Sequence, residues 1–217
     1  MHVIVAASQK GGAGKTTLTR SLAVAAQERH GPVALLDTDP QGSLTSWWNR
    51  RQADEPALVR TEMADLDAAL RRLEAAGISQ VYIDTPPSAH PWIAGLLARA
   101  TLALVPVRPS PDDLDAVGDT LDMIDAIGVN FAFVVMQAKP RTRLAIEAIP
   151  VLAKHGKVAP TVIHDRIDFP TAAVRGLTVT ETEPDSRSAV EVQELLAYVL
   201  TQLRRPASKA AREYVHA

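Results

Sequence analysis

The chain has 217 residues, enough for one sizeable core and at most two small domains, and its 47 % hydrophobic content marks it as globular rather than disordered. It contains no cysteine, which excludes disulfides, thiol catalysis, zinc–thiolate sites and iron–sulfur clusters together. A net charge of −2 leaves any contact with nucleic acid to a local basic patch, and no apolar run reaches the ~18 residues of a membrane span. The start, MHVIVAASQKGG, lacks the charged region of a signal peptide, so a cytoplasmic location is expected.

Residues 2–7 (HVIVAA) are apolar, rich in β-branched side chains, and end on glycines, the pattern of a buried strand entering a loop. Residues 15–29 carry apolar positions at helical spacing and stop at Gly31-Pro32. A second strand is expected over 33–37 (VALLD), with Trp47 and Trp48 on a short helix after it. An amphipathic helix spans 65–76 before Gly77, and a third strand, 81–84, closes on Asp84. A fourth strand is expected at 102–107, a helix at 112–127 and a fifth strand at 131–136. A helix over roughly 143–155 should be kinked or shortened by Pro150. A sixth strand at 158–163 and a long helix at 189–203 complete the pattern. Alternating strands and helices predict a single α/β domain over 1–203, with a mainly parallel sheet flanked by helices, followed by a basic polar tail over 204–217.

In such a sheet, ligands bind beyond the carboxyl ends of the strands. There the chain places SQKGGAGKTTL, Ser8–Leu18. Its right half fits the phosphate-loop pattern G-x-x-x-x-G-K-[ST], but the first glycine of that pattern falls on Gln9, beside an additional lysine, Lys10. Gly11, Gly12 and Gly14 allow the backbone to turn and aim its N–H groups at phosphate oxygens. The helix that follows adds its positive N-terminal end. Lys15 would bridge β- and γ-phosphates and the Thr16 hydroxyl would ligate Mg²⁺. Asp84, at the end of an apolar strand, would hold the same ion directly or through a water. The stretch after it, stiffened by Pro86 and Pro87, could sense the γ-phosphate. Asp37 and Asp39 lie two apart just past a strand; one would orient the attacking water and the other face the metal shell, and spacing does not choose between them.

Three motifs, KGGAGKTT at 10–17, LLDTDPQGSLTSW at 35–47 and YIDTPPS at 82–88, together resemble the ParA/MinD family of deviant Walker-A ATPases. The similarity runs from Met1 to about Leu203. It is closest to the small plasmid-type ParA partition proteins, since only nine residues precede Lys10 and no N-terminal DNA-binding extension is expected. The resemblance implies ATP and Mg²⁺ as cofactors and a loop in which Lys10, Gly11, Gly12, Ala13, Gly14, Lys15, Thr16 and Thr17 hold the nucleotide. It implies that Lys10 crosses into a partner subunit, like an arginine finger, and so ties ATP binding to homodimer formation. It assigns the water-positioning role to Asp39, beside Lys10 and Lys15 as catalytic groups, and the metal to Thr16, Asp84 and Asp37. A partition ATPase of this kind binds DNA without sequence preference when dimeric, and a ParB-like or other cargo adaptor stimulates its hydrolysis. Candidate DNA contacts are Arg166, Arg175, Arg187, Arg204 and Arg205, and nucleoid association is expected with ATP. Two alternatives share the fold: a MinD-like membrane-cycling ATPase, which the weakly apolar tail after Pro206 disfavours, and a ParA-like ATPase that positions a protein assembly. Adenine contacts are expected from the loops at 137–142 and 164–168.

Overall fold

The computed structural model describes residues 1–87 and 91–204. The sheet has six strands: β1 (His2–Ala6), β2 (Val33–Asp37), β3 (Ala57–Val59), β4 (Gln80–Asp84), β5 (Leu102–Val107) and β6 (Phe131–Val135). They lie in the order β3-β2-β4-β1-β5-β6, every pairing parallel. Alternate residues of each strand enter opposite cores, because side chains alternate across a pleated strand. Ile4, Leu35, Tyr82 and Val134 pack on one face beneath α1 (Lys15–His30) and α10 (Arg187–Leu203). Val5, Leu36, Ile83 and Phe133 pack on the other beneath α3 (Leu66–Ala75), α4 (Pro91–Leu97), α6 (Val117–Ile127) and α7 (Leu144–Ala153). Covering both faces accounts for the unbroken apolar runs of the strands.

Three expectations are corrected. Residues 158–163 are not a sixth ladder strand; they join β6 through the single bridge Phe133↔Val158, a second bridge linking Ala138 to His164 beyond its end. The Ala159 N–H pairs with Phe133 O at 2.8 Å, but the next donor to β6 is the Ile163 N–H, to Val135 O at 2.9 Å, four residues on instead of two, so the alternation a ladder needs is broken. The sixth strand is instead β3, too short to show a two-residue period. The helix expected over 112–127 is two, α5 (Pro111–Asp115) and α6, with Ser110 capping the first by accepting from the Asp113 N–H. α4, following β4, was not expected, while α7 ends three residues past Pro150, shortened as that proline leads one to expect. Two further helices, α8 (Asp168–Val174) and α9 (Val179–Thr182), occupy what reads in the sequence as loop.

The register decides where the functional groups meet. Asp84 is the Cα partner of Ala6 on one side and of Asp37 on the other. The carboxyl ends of β1, β2 and β4 are therefore level, and the glycine loop, the Asp37–Asp39 turn and Asp84 share one edge of the sheet.

Candidate functional site

The loop between β1 and α1 turns through Gly12 and Gly14, at φ 73° and 98°. Gly14 is doubly constrained, since a Cβ there would lie 3.0 Å from the Met136 methyl and 3.3 Å from Gln137 Nε2. Gln137, itself at φ 53°, closes the loop from the β6 side by donating from Nε2 to the Gly12 carbonyl at 2.8 Å. Lys15, buried, folds back over the loop and donates to the carbonyls of Ser8 at 3.0 Å and Lys10 at 3.4 Å. Burial lowers its pKa, while the negative charges of Asp84 and Asp39 pull it back up. The loop thus holds a cation beneath backbone amides, an arrangement that binds phosphate.

Asp84 is fully buried. Its Oδ2 accepts from the Thr16 hydroxyl at 2.6 Å, and among the described residues its Oδ1 has no partner. Burial pushes its carboxyl up to about 7, against the pull of the Thr16 hydrogen bond; Asp37 pushes it further up. A hydroxyl and a carboxylate oxygen side by side, one lone pair orphaned, are the hard oxygen ligands Mg²⁺ takes, so these residues fit that ion. Thr38 braces the strand end, donating from Oγ1 to the Asp84 carbonyl at 2.6 Å.

The two aspartates of the β2 turn have different duties. Asp37 Oδ1 accepts from the Asp39 N–H at 3.2 Å and its Oδ2 from the Thr45 N–H at 2.7 Å, so it ties the turn to α2 (Ser43–Trp48). Among the described residues Asp39 accepts only from the Gln41 N–H, at 2.9 Å through Oδ1, and it lines the cavity above the loop. That cavity, about 660 Å³, is bounded by Gly12, Gly14, Lys15, Thr16, Asp39 and Gln137, within the range of small-molecule sites. A slot of about 170 Å³ adjoins it, sharing Thr17, Arg20 and Gln137 and continuing to His164 and Phe169. Both loops expected near adenine contribute to this slot.

Lys10 is half-buried, and among the described residues its side chain makes no ion pair or hydrogen bond and does not line the cavity. The arginines proposed for DNA are dispersed. Arg166 is paired with Glu191 at 2.6 Å, whose other oxygen meets His164 Nδ1 at 2.8 Å. Burial would raise the Glu191 carboxyl, but the hydrogen bonds from Arg166 and His164 outweigh it and hold it low. Arg187 shares a depression of about 710 Å³ with Arg166 and Arg141. Arg175 is exposed at the end of α8, and Arg204 is exposed at the far end of α10, about 25 Å from Arg187 at ~1.5 Å per helical residue. Arg205 and Ser88 lie outside the described residues. Arg20, Arg50 and Thr38 were missed; Arg20 reads in the sequence as one polar position of a helix, with nothing to show what it faces.

Residues 4–179 match the CbiA family, described as the CobQ/CobB/MinD/ParA nucleotide binding domain. A "Maintenance of carboxysome distribution protein A" from Halothiobacillus neapolitanus is 31 % identical over 209 residues, 91 % of this chain and 95 % of that protein. A chromosome-partitioning ATPase Soj from Thermus thermophilus is 29 % identical over 239 residues, covering 93 % of this chain and 96 % of Soj. Among solved structures, a chain of the MinC:MinD cell division protein complex of Aquifex aeolicus superposes with a TM-score of 0.78 over 96 % of this chain and 99 % of that one. At 16 % identity that likeness is one of fold.

Proposed function

Because the chain belongs to the CobQ/CobB/MinD/ParA family of nucleotide-binding domains, we propose that it is a dimerising ATPase that positions or segregates a cargo through ATP-switched, sequence-independent DNA binding. Residues 1–203 form the ATPase domain, and Arg204 begins the basic tail. The loop amides and Lys15 hold the phosphates, and Thr16 and Asp84 hold Mg²⁺, which neutralises phosphate charge when bound. Asp39, with one oxygen uncommitted at the cavity wall, orients the attacking water; Asp37 holds the turn that presents it. The observation that carries the dimer is Lys10: it stands at the phosphate loop, yet lines no part of its own cavity, and its ammonium has no partner among the described residues. A cation so placed is available to the nucleotide of a facing subunit, where it would spread transition-state charge.

The dispersed arginines support DNA binding in the dimer rather than the monomer. Two copies double each cluster, and phosphate contacts need charge but no base readout. Association with the nucleoid follows in the ATP state, with a cargo-bound adaptor accelerating hydrolysis. A second reading of the cargo, a protein assembly rather than a DNA molecule, is favoured by the relative named for carboxysome distribution, which matches nearly end to end. No described helix is long and apolar enough to cross a membrane.

Sedimentation of the wild type and of Lys15→Ala with Mg-ATP, with and without non-specific duplex DNA, tests the proposal. The wild type should dimerise and then bind DNA, with log K falling by about 0.9 per phosphate contact for each unit of log salt. Lys15→Ala should do neither. A wild type that binds DNA equally well with ADP would refute the switch.

A further inference from the structure

Trp47, fully buried on α2, is faced by two guanidinium groups, Arg51 at 5.0 Å from its ring centroid and Arg20 at 5.9 Å. Their charges are treated differently. Arg51 is neutralised by Glu181, which it grips with both terminal nitrogens at 3.1 and 2.7 Å, and it also donates to the Gly176 carbonyl at 2.8 Å. Arg20 makes no ion pair among the described residues; it donates a long hydrogen bond from Nη2 to Thr17 Oγ1 at 3.4 Å. Burial, then the charge of Arg50, push its pKa down to about 10, with Asp84 pulling the other way. A half-buried guanidinium without a counter-charge carries a desolvation cost, and an anionic ligand in the cavity it lines lowers that cost.

Its position says which anion. Arg20 follows Lys15 by five residues on α1 and lines both the phosphate cavity and the adjoining slot, as do Thr17 and Gln137. With Lys15 and the glycine turn holding the far phosphates, and the slot holding the base, the passage between them takes the ribose and the phosphate next to it. Of these only the phosphate is an anion. We infer that Arg20 anchors the nucleotide's α-phosphate, stacked on Trp47 so that its fork is pre-oriented, with the exposed Arg50 adding charge from the same cavity. This rests on the nucleotide reading above and adds to the phosphate loop a contact common to ATP and ADP. A planar fork meets two phosphate oxygens at once, which an ammonium cannot do.

Arg20→Met keeps the length and the apolar contact with Trp47 while removing the charge. Titration of wild type and variant with fluorescent ATP and ADP, alongside melting without nucleotide, tests the assignment. The dissociation constants for ATP and ADP should rise together by about tenfold to a hundredfold, as for a lost charge-assisted hydrogen bond. The melting temperature without nucleotide should hold or rise, and Arg20→Lys should recover part of the affinity. Unchanged affinity with a lowered melting temperature would make Arg20 a packing residue and overturn the assignment. Loss confined to ATP would also overturn it, moving the contact to the γ-phosphate. A wild type that binds neither nucleotide would instead defeat the nucleotide reading, and this inference with it.

Discussion

Replacing Asp84 by asparagine should change the stability of the nucleotide-free protein in a way that depends on pH. Asp84 is fully buried, accepts one hydrogen bond from Thr16 at 2.6 Å, and leaves Oδ1 without a partner among the described residues. Burial raises its carboxyl from 3.8 to about 7. The folded chain therefore keeps a proton that the unfolded chain has released, and stability falls as pH rises from about 4 through about 7, where the folded carboxyl finally ionises. Three units at ~1.36 kcal/mol each make this loss roughly 4 kcal/mol by pH ~8. Asparagine stays neutral and escapes it. In exchange it buries an amide N–H without an acceptor, about 1–3 kcal/mol at every pH. At pH ~8 the balance is a gain of about 1–3 kcal/mol, or roughly 2–12 °C for a chain of this size. At pH ~4 the balance is a loss, because the wild-type acid is protonated and only the amide penalty remains. The change between the two pH values, roughly 4 kcal/mol in favour of the variant, does not depend on the size of that penalty. Urea unfolding of both proteins at a series of pH values, with EDTA and no nucleotide, measures it. A stability difference that stays constant from pH ~4 to ~8 would refute the account of Asp84 as a buried carboxyl of raised pKa.

Lys10→Ala and Asp39→Ala should each bind ATP but fail in hydrolysis; mixed, they should recover at most about half the wild-type rate, since one composite site keeps Lys10 from one chain and Asp39 from the other. Phosphate release from the mixture decides this, and a flat result would place Lys10 in its own subunit's site. Gly14→Ala should cost at least ~1 kcal/mol and weaken nucleotide binding, because its φ of 98° strains any residue with a Cβ and that Cβ would press on the Met136 methyl 3.0 Å away and on Gln137; chemical denaturation and ATP titration report the two effects. Glu181→Gln should cost about 3–5 kcal/mol, for it strips the counter-charge from Arg51, whose side chain is only 3 % exposed. A melting temperature within a degree or so of wild type would show that Trp47 and the carbonyls of Gly176 and Glu55 hold that arginine without Glu181.

The strands, the phosphate loop and the acidic strand ends were legible in the sequence, because each rests on local chemistry. A continuous β-branched run such as VALLD has to be buried on both faces, and glycines before Lys-Thr have no role in a simple connection. Where α1 and α10 run could be predicted for the same reason, their apolar positions recurring at the helical period. β3, with three residues, is below the length at which a period shows, and it exists because the exposed edge of β2 offers it hydrogen bonds. Residues 158–163 make the converse point: an apolar stretch became an irregular edge because the Ile163 N–H, and not the Thr161 N–H, pairs with Val135, a break in alternation that exists only against the neighbouring strand. The different surroundings of Asp37 and Asp39 were equally closed to spacing, and in the sequence only the family resemblance told the two apart. Two carboxylates two residues apart are equivalent until the chain folds and the Thr45 N–H takes up Asp37, leaving Asp39 open to the cavity. The same holds for the two arginines at Trp47. Their charges are identical in the sequence, and only the tertiary structure gives Glu181 to Arg51 and leaves Arg20 facing the cavity, because an ion pair depends on which side chains converge in space and not on their order in the chain.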